Sequence, residues 1–320
     1  MKAMLVKQFG DPDVMKMTEM NDLAPVVDQI LVEVKAAGIN PKDAAYRSGA
    51  YPELKSPPFV PGIDAAGIVK KTDPWVRKFN VGDRVYVSGS LTGTYANEVL
   101  CESSQVYHLP DSYTFAEGAC LGVAYATAFR AIFQRAKGIP GETILVHGAS
   151  GGVGLAAVQL ASTCGFNVIG TAGSPQAMEI VRREGANIVV NHHEAGYFQQ
   201  ILKLNHGEKV DVILEMQADL NLEKDLSLLA YQGRIVVIGG MGPAKFNISQ
   251  LKGLDAAILA VSLLIAPPED LQIIHTALQR LLLKGTIKPV IYKEFPLTEA
   301  PQAHRSLTES GHYGKIVLIP

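Results

Sequence analysis

The sequence predicts an α/β protein in which a doubly wound parallel sheet interrupts a mainly β domain. The first 115 residues or so are short runs of near period two, broken by Gly, Pro and Asp. From about residue 116, helical spacing alternates with continuously apolar segments, and near residue 267 a helix that begins with proline leads back to strand-like pieces of the opening texture. The simplest topology places residues 121–265 as an inserted α/β domain, with 1–120 and 266–320 forming the enclosing β domain.

In chain order, "QILVEVKAAGI", "DAAGIVKK", "GDRVYVSG" and "YANEVLCE" read as half-buried strands of an all-β barrel, and no helix-long pattern stands among them. "FAEGACLGVAYATAFRAIFQRA" has helical spacing. "TILVHG" is a buried-strand run, and "VGLAAVQLASTCG" is a helix closed by Gly165. The strands "NVIGTAG", "NIVVN", "KVDVILEM", "GRIVVIGG" and "DAAILAVSL" alternate with the helices "SPQAMEIVRREGA" and "DLNLEKDLSLLA". Strands apolar on both faces, separated by helices, require a parallel sheet covered on both sides. The helix "PPEDLQIIHTALQRLLLKG" precedes the closing strands "KPVIYKEFPL" and "GKIVLIP". The run "AILAVSLL", 257–264, is continuously apolar although it falls at the sheet edge, where pairing with a second subunit would cover it. A homodimer or homotetramer through this strand is expected.

Composition narrows the partners. Of 320 residues, 48% are hydrophobic and 19% charged, as in a soluble globular protein. A net charge of −2 supplies no basic field, so neither nucleic acid nor an anionic membrane is an expected partner. Cys101, Cys120 and Cys164 lie far apart without a CxxC pair, which suits free thiols in a reducing compartment. "MKAMLVKQFGDPD" has turn formers and acids where a signal peptide needs an apolar stretch, and no later run reaches the roughly 18 apolar residues of a membrane span. The expected location is the cytoplasm.

The chemistry centres on "ILVHGASGGVGLAAVQL", 144–160. Ala149, Gly151 and Gly154 occupy the three positions of the dinucleotide fingerprint, after a predicted strand at 143–147 and at the start of a predicted helix. Unpaired amides and the positive end of the helix dipole receive a diphosphate there. Gly151 allows the close approach, and Gly154 the close packing of helix on strand. The next strand ends "GTAGS", with no acid at Gly170–Ser174 to bind a ribose 2′-hydroxyl. A carboxylate at about 4 Å from a 2′-phosphate costs roughly 4 kcal/mol at an effective dielectric constant near 20, so its absence permits NADPH. No Lys or Arg falls within "GTAGSPQ", leaving Ser174, Arg182 or His192 to assist the phosphate. NADPH is expected, with NADH possible.

A β domain interrupted by such a nucleotide domain resembles the medium-chain dehydrogenase/reductase superfamily. Its zinc members carry a Cys ahead of the first active-site segment, a GHE motif further on, and often four clustered structural cysteines. Here the segments read "GINPKD" and "PGIDAAG", so Asn40 stands where the Cys ligand would be, and Ile63 with Asp64 where His and Glu would be. Ile63 has no donor, the eight histidines show no HxxH or HExxH pattern, and the adjacent His192 and His193 are read as facing different ways. No zinc and no other metal is expected. "GINPKDAAYRSGAYP", "PGIDAAGIV", "GDRVY", "HGASGGVGLAAVQLA", "GTAGS", "EMQADLNLEKDLSLLA" and "GRIVVIGG" together resemble the zeta-crystallin-type quinone oxidoreductases, zinc-free members of that superfamily, over essentially the whole chain.

The resemblance implies a GroES-like β-barrel catalytic domain beside a Rossmann domain, a cleft between them, NADPH:quinone reductase activity and a homo-oligomer. It implies a pyrophosphate loop at Ser150, Gly151, Gly152 and Val153 and an adenosine-side glycine at Gly173, to which the residue reading adds Gly154 and Ser174 as cofactor-binding candidates. Polar contacts are implied at His192 and Asn221, a loop at Ile238, Gly239, Gly240 and Met241, a nicotinamide-side Thr127 and an active-site Asn40. Three departures stand out. Ala45 replaces a tyrosine, with Tyr46 following; Met241 replaces an arginine; and Glu179 replaces a lysine. Asn40, Tyr46 and Tyr51 are the catalytic candidates. Asn40 before Pro41 also suits a turn, and Tyr46 also suits packing. Asp43 and Arg47 are read as a local ion pair, and Asp64 as satisfied by backbone or by an arginine across the cleft. An enone (alkenal/one) double-bond reductase is the alternative activity. A crystallin-like structural role or AU-rich RNA binding is a minor one.

Overall fold

The punctuated opening texture folds as strands, in a computed structural model that describes every residue except Met241 and Ser310. β1 (Lys2–Val6) and β2 (Met15–Glu19) pair antiparallel. β3 (Gln29–Gly38), β4 (Asp64–Thr72), β5 (Arg84–Ser88), β6 (Glu98–Glu102) and β7 (Val106–His108) follow, each antiparallel to its neighbour: β4 and β6 flank β3, β5 lies beside β4, and β7 beside β5. Ile30, Val32 and Val34 of β3 turn into a core with Val69, Val85, Val87 and Val99.

One element in this region departs from the sequence reading. "PKDAAYRS" is a helix, α1 (Pro41–Ser48), where strand or loop was expected. It has no apolar stripe for periodicity to detect. Its ends carry the signal instead: Asn40 is the N-cap in extended conformation, Pro41 the first helical residue, Asp43 closes a reciprocal capping box, and Gly49 ends the helix at φ 84°. Two further helices, α2 (Phe115–Gly118) and α3 (Gly122–Phe129), lead out of the β region.

Six parallel strands then form the second sheet: β8 (Thr143–Val146), β9 (Asn167–Ala172), β10 (Ile188–Asn191), β11 (Val210–Glu215), β12 (Leu229–Val237) and β13 (Ala257–Ala260). Their order, β10-β9-β8-β11-β12-β13, reverses direction between β8 and β11, so the strand ends there open a crevice suited to a ligand. The helices α4 (Gly152–Thr163), α5 (Pro175–Arg183), α6 (Tyr197–Leu204), α7 (Ala218–Leu228) and α8 (Ile248–Gly253) connect them. Leu145, Ile169, Val190, Ile213 and Ile235 pack under Phe198, Leu222 and Leu226. β13 is shorter than the apolar run 257–264 and pairs with β12 alone, because the chain leaves the sheet after Ala260.

The chain returns through α9 (Pro268–Lys284), β14 (Ile291–Pro296), α10 (Ala300–Ser306) and β15 (Lys315–Ile319). β15 pairs parallel with β14 and antiparallel with β3, at Val317 opposite Gly38 and Leu318 opposite Ala37. The first sheet thus runs β14-β15-β3-β4-β5-β7, with β6 also on β3. Met1–Val123 with His275–Pro320 form one compact unit and Ala124–Ile274 the other, the boundaries falling inside α3 and α9.

Candidate active site

Each unit carries its own constellation. In the second, the chain leaves β8 at Val146 and turns through His147–Gly151 into α4. Gly148 takes φ 56°, its amide donates to Thr171 Oγ1 (3.1 Å), and the Ala149 amide donates to Thr171 O (2.8 Å), which ties the loop to β9. A Cβ on Gly154 would stand 2.4 Å from Gly148 O and 2.7 Å from Ala149 Cα, so internal packing demands glycine there. At Gly151 a Cβ would meet only Gly148 O, at an ordinary 3.5 Å. The fold itself has room for a side chain at Gly151. The amides of Gly152, Val153 and Gly154 open α4 and have no acceptor one turn back within the helix. Beside the half-buried Ser150 they form a cradle that fits a diphosphate.

At the end of β9, a Cβ on Gly173 would fall 2.9 Å from His192 Nε2 and 2.7 Å from His193 Nε2. The two rings meet edge to face at 4.5 Å, so adjacent histidines read as facing apart both lean over one glycine. They follow β10 in a loop, where strand alternation does not apply. Burial, and then His193, push the His192 pKa down. Ser174 caps α5, its Oγ accepting from the Ala177 amide (3.2 Å), and Arg182 lies 3.9 Å from Glu179. Asn221 donates through Nδ2 to Glu215 Oε1 (3.3 Å) and accepts from the Tyr197 hydroxyl (3.4 Å). The amides of Ile238 and Gly239 donate to Glu215 O, at 2.8 and 3.2 Å, and Gly240 takes φ 132°. Thr127 is buried on α3, and Met241 lies outside the described residues.

A buried trio escaped the sequence reading. His147 Nε2 lies 3.0 Å from Asp225 Oδ1 and 3.6 Å from Glu215 Oε2. Burial raises the pKa of both Glu215 and Asp225 to about 7 and lowers that of His147. Among the described residues Glu215 Oε2 and Asp225 Oδ2 find no hydrogen-bond partner, which a proton shared by the two carboxyls would supply. Among the described residues this is the one group of three with metal-ligand character. It joins β8, β11 and α7, a spacing that no local motif encodes.

In the first unit, Asn40, Asp43 and Asp64 are all buried. The Asn40 amide N–H donates to Asp43 Oδ2 (2.8 Å), and Asn40 Nδ2 donates to Asp64 Oδ2 (3.0 Å). Asp64 Oδ1 accepts from the Val123 amide (2.8 Å). Lys315, from β15, donates to Asn40 Oδ1 (2.5 Å) and Ile39 O (2.7 Å) and stands 3.6 Å from Asp64 Oδ2. Asp64 therefore rests on backbone and a lysine, not an arginine. Burial raises the Asp43 pKa to about 7, and it raises that of Asp64 against the pull of Lys315. The expected Asp43–Arg47 pair is replaced: the Asp43 carboxylate turns back to cap α1, and Arg47 donates to Gly10 O. The Tyr95 hydroxyl bridges His304 Nε2 (2.9 Å) and Asp43 Oδ2 (3.5 Å). Tyr46 and Tyr51 come together edge to face at 6.3 Å, with Lys42 Nζ 3.3 Å from the Tyr51 ring centre and 5.2 Å from that of Tyr46.

Comparison with known proteins agrees with these features. Residues 27–111 match the alcohol dehydrogenase GroES-like domain, and 152–272 match the zinc-binding dehydrogenase domain. Among solved structures, an NAD-dependent alcohol dehydrogenase superimposes with a TM-score of 0.93 at 26% identity, both chains covered in full. Fold and loop together define a medium-chain dehydrogenase/reductase. The quinone oxidoreductase of Mus musculus is 42% identical, aligned over 100% of this chain and 98% of its own. The Escherichia coli quinone oxidoreductase complexed with NADPH superimposes with a TM-score of 0.88 at 29% identity, covering both chains in full. The chain belongs to the zeta-crystallin-type quinone oxidoreductases of that superfamily, and it is an oxidoreductase.

Zinc, which the name of the second domain implies, does not fit the donors at the ligand positions. Asn40 presents an amide already bonded at both ends, Ile63 presents an alkyl chain, and Asp64 faces a cation.

Proposed function

We propose that the protein is an NADPH-dependent quinone reductase that works without zinc. The observation that carries nucleotide binding is Gly151, where the fold leaves room for a side chain, at the mouth of the first α4 amides, which have no acceptor within the helix. Ser150, Gly152 and Val153 complete the pyrophosphate cradle. Gly173 holds the adenosine side, His192, Asn221 and the Ile238–Gly240 loop supply further contacts to the cofactor, and Thr127 stands at the nicotinamide side. The absence of an acid from Gly170 to Ser174 supports NADPH. With no Lys or Arg within "GTAGSPQ", the preference over NADH is modest.

When bound, the nicotinamide supplies hydride, and the balance is NADPH + H⁺ + quinone giving NADP⁺ + hydroquinone. Asn40 presents an amide N–H to oxygen as charge builds there. Tyr46 and Tyr51, backed by Lys42, offer ring faces and hydroxyls to a flat acceptor. No described helix is long and apolar enough to cross a membrane. A cytoplasmic enzyme, oligomeric through β13, fits this activity.

Fluorescence titration with NADPH and NADH, followed by turnover of a quinone panel against an enone panel, tests the proposal. Saturable NADPH binding with faster quinone turnover is the expected result. Failure to bind either nucleotide, or turnover of enones alone, overturns it.

A further inference from the structure

We propose that Lys315 is a positioning residue for the reduction, acting through Asn40 as the fixed positive charge of a site whose ligand positions reject zinc. The inference rests on the quinone-reductase reading. A lysine ammonium is rarely tolerated inside a protein unless it is paired and hydrogen-bonded, and the side chain of Lys315 is only 7% exposed. Its partners are Ile39 O, Asn40 Oδ1 and Asp64 Oδ2, and Asn40 and Asp64 stand where zinc members carry the Cys ligand and the Glu of the GHE motif. The register that aligns Leu318 with Ala37 and Val317 with Gly38 delivers it there. A Cβ on Gly122 would lie 2.4 Å from Asp64 Oδ1, so the neighbouring backbone is also shaped around that carboxylate.

The arrangement fixes the Asn40 amide in one of its two orientations. Lys315 holds the carbonyl end and Asp64 holds the NH₂ end. A flip would set NH₂ against ammonium and carbonyl against carboxylate, so both ends oppose it. Asp64 accepts one of the two Nδ2 hydrogens, and the other remains to donate. A cation on Oδ1 withdraws electron density through the conjugated amide and strengthens that remaining donor, as chained hydrogen bonds do. Oxyanion stabilisation therefore passes from Lys315 through Asn40 to the acceptor oxygen, with no metal and no proton leaving the lysine.

The test is single-turnover reduction of a quinone by NADPH-loaded enzyme, for wild type, Lys315→Met and Lys315→Arg, reading rate constant and amplitude separately. Loss of folded protein lowers the amplitude, whereas loss of amide positioning lowers the rate constant. For Lys315→Met we expect a rate constant at least tenfold lower, with the NADPH dissociation constant within threefold of wild type. Lys315→Arg, which keeps a cationic donor, should return to within about fivefold. A Lys315→Met rate constant within threefold of wild type overturns the proposal, and so does an equal loss in Lys315→Arg, which would make packing and not charge the cause. A wild-type enzyme that reduces no quinone overturns the activity itself and is distinct from either.

Discussion

Gly151 and Gly154 stand three residues apart and are glycine for different reasons. Gly154 is held by the protein's own backbone, with carbonyl and Cα atoms where its Cβ would be, whereas at Gly151 the fold leaves room for a Cβ that, on the proposed function, the diphosphate takes. We expect Gly154→Ala to lower stability by about 1–3 kcal/mol, seen as a lower Tm. Gly151→Ala should keep its Tm and bind NADPH about tenfold more weakly or worse. Equal affinities for Gly151→Ala and wild type would remove the diphosphate from that loop. Asp43 sets a pH dependence of definite sign. Its ordinary pKa of 3.8 rises to about 7 on burial, so the folded protein favours the protonated acid. That contribution to stability is full below about pH 4 and is lost as pH rises through 7. Asp43→Asn imitates the protonated form and should gain on wild type between pH 4.5 and 8, by at most about 4 kcal/mol. Denaturant unfolding at both pH values checks this, and a pH-independent difference would contradict it.

At the scale of elements, β8, the glycine loop and α4 were legible because strand, turn and helix follow within a few contiguous residues and each has its own pattern. α1 was not legible through periodicity, since its eight residues present no apolar face, yet its caps spell it out: Asn40, Pro41, Asp43 and Gly49. The consequence reaches the candidate site, because a helix and not a strand carries Tyr46 and aims Asp43 back at Asn40. The apolar run at 257–264 yields only four residues of strand, β13, paired on one side. If this edge joins subunits, Leu259→Lys should reduce the mass measured by light scattering at micromolar concentration to that of one chain. A wild type that already scatters as a monomer would end the oligomer proposal.

The whole molecule divides its chemistry between two units: the glycine turn before α4 and the His147–Glu215–Asp225 trio in one, and the Asn40–Asp64–Lys315 network in the other. Metal removal probes both at once. Dialysis against a strong chelator is expected to leave quinone turnover within about twofold and Tm unchanged, because the ligand positions hold Lys315 in place of a cation site. A proportional loss of activity and bound zinc would direct attention to His147, Glu215 and Asp225. By itself the sequence determined the doubly wound sheet, the glycine turn between β8 and α4 and the identities of Asn40, Ile63 and Asp64, because each is written in local periodicity, in missing side chains or in single residues. Only the tertiary structure decided what surrounds Asn40 and His147. Lys315 lies 275 residues from Asn40 along the chain, and Asp225 lies 78 from His147. Contacts of that span arise from strand order and register, which no contiguous stretch of sequence contains.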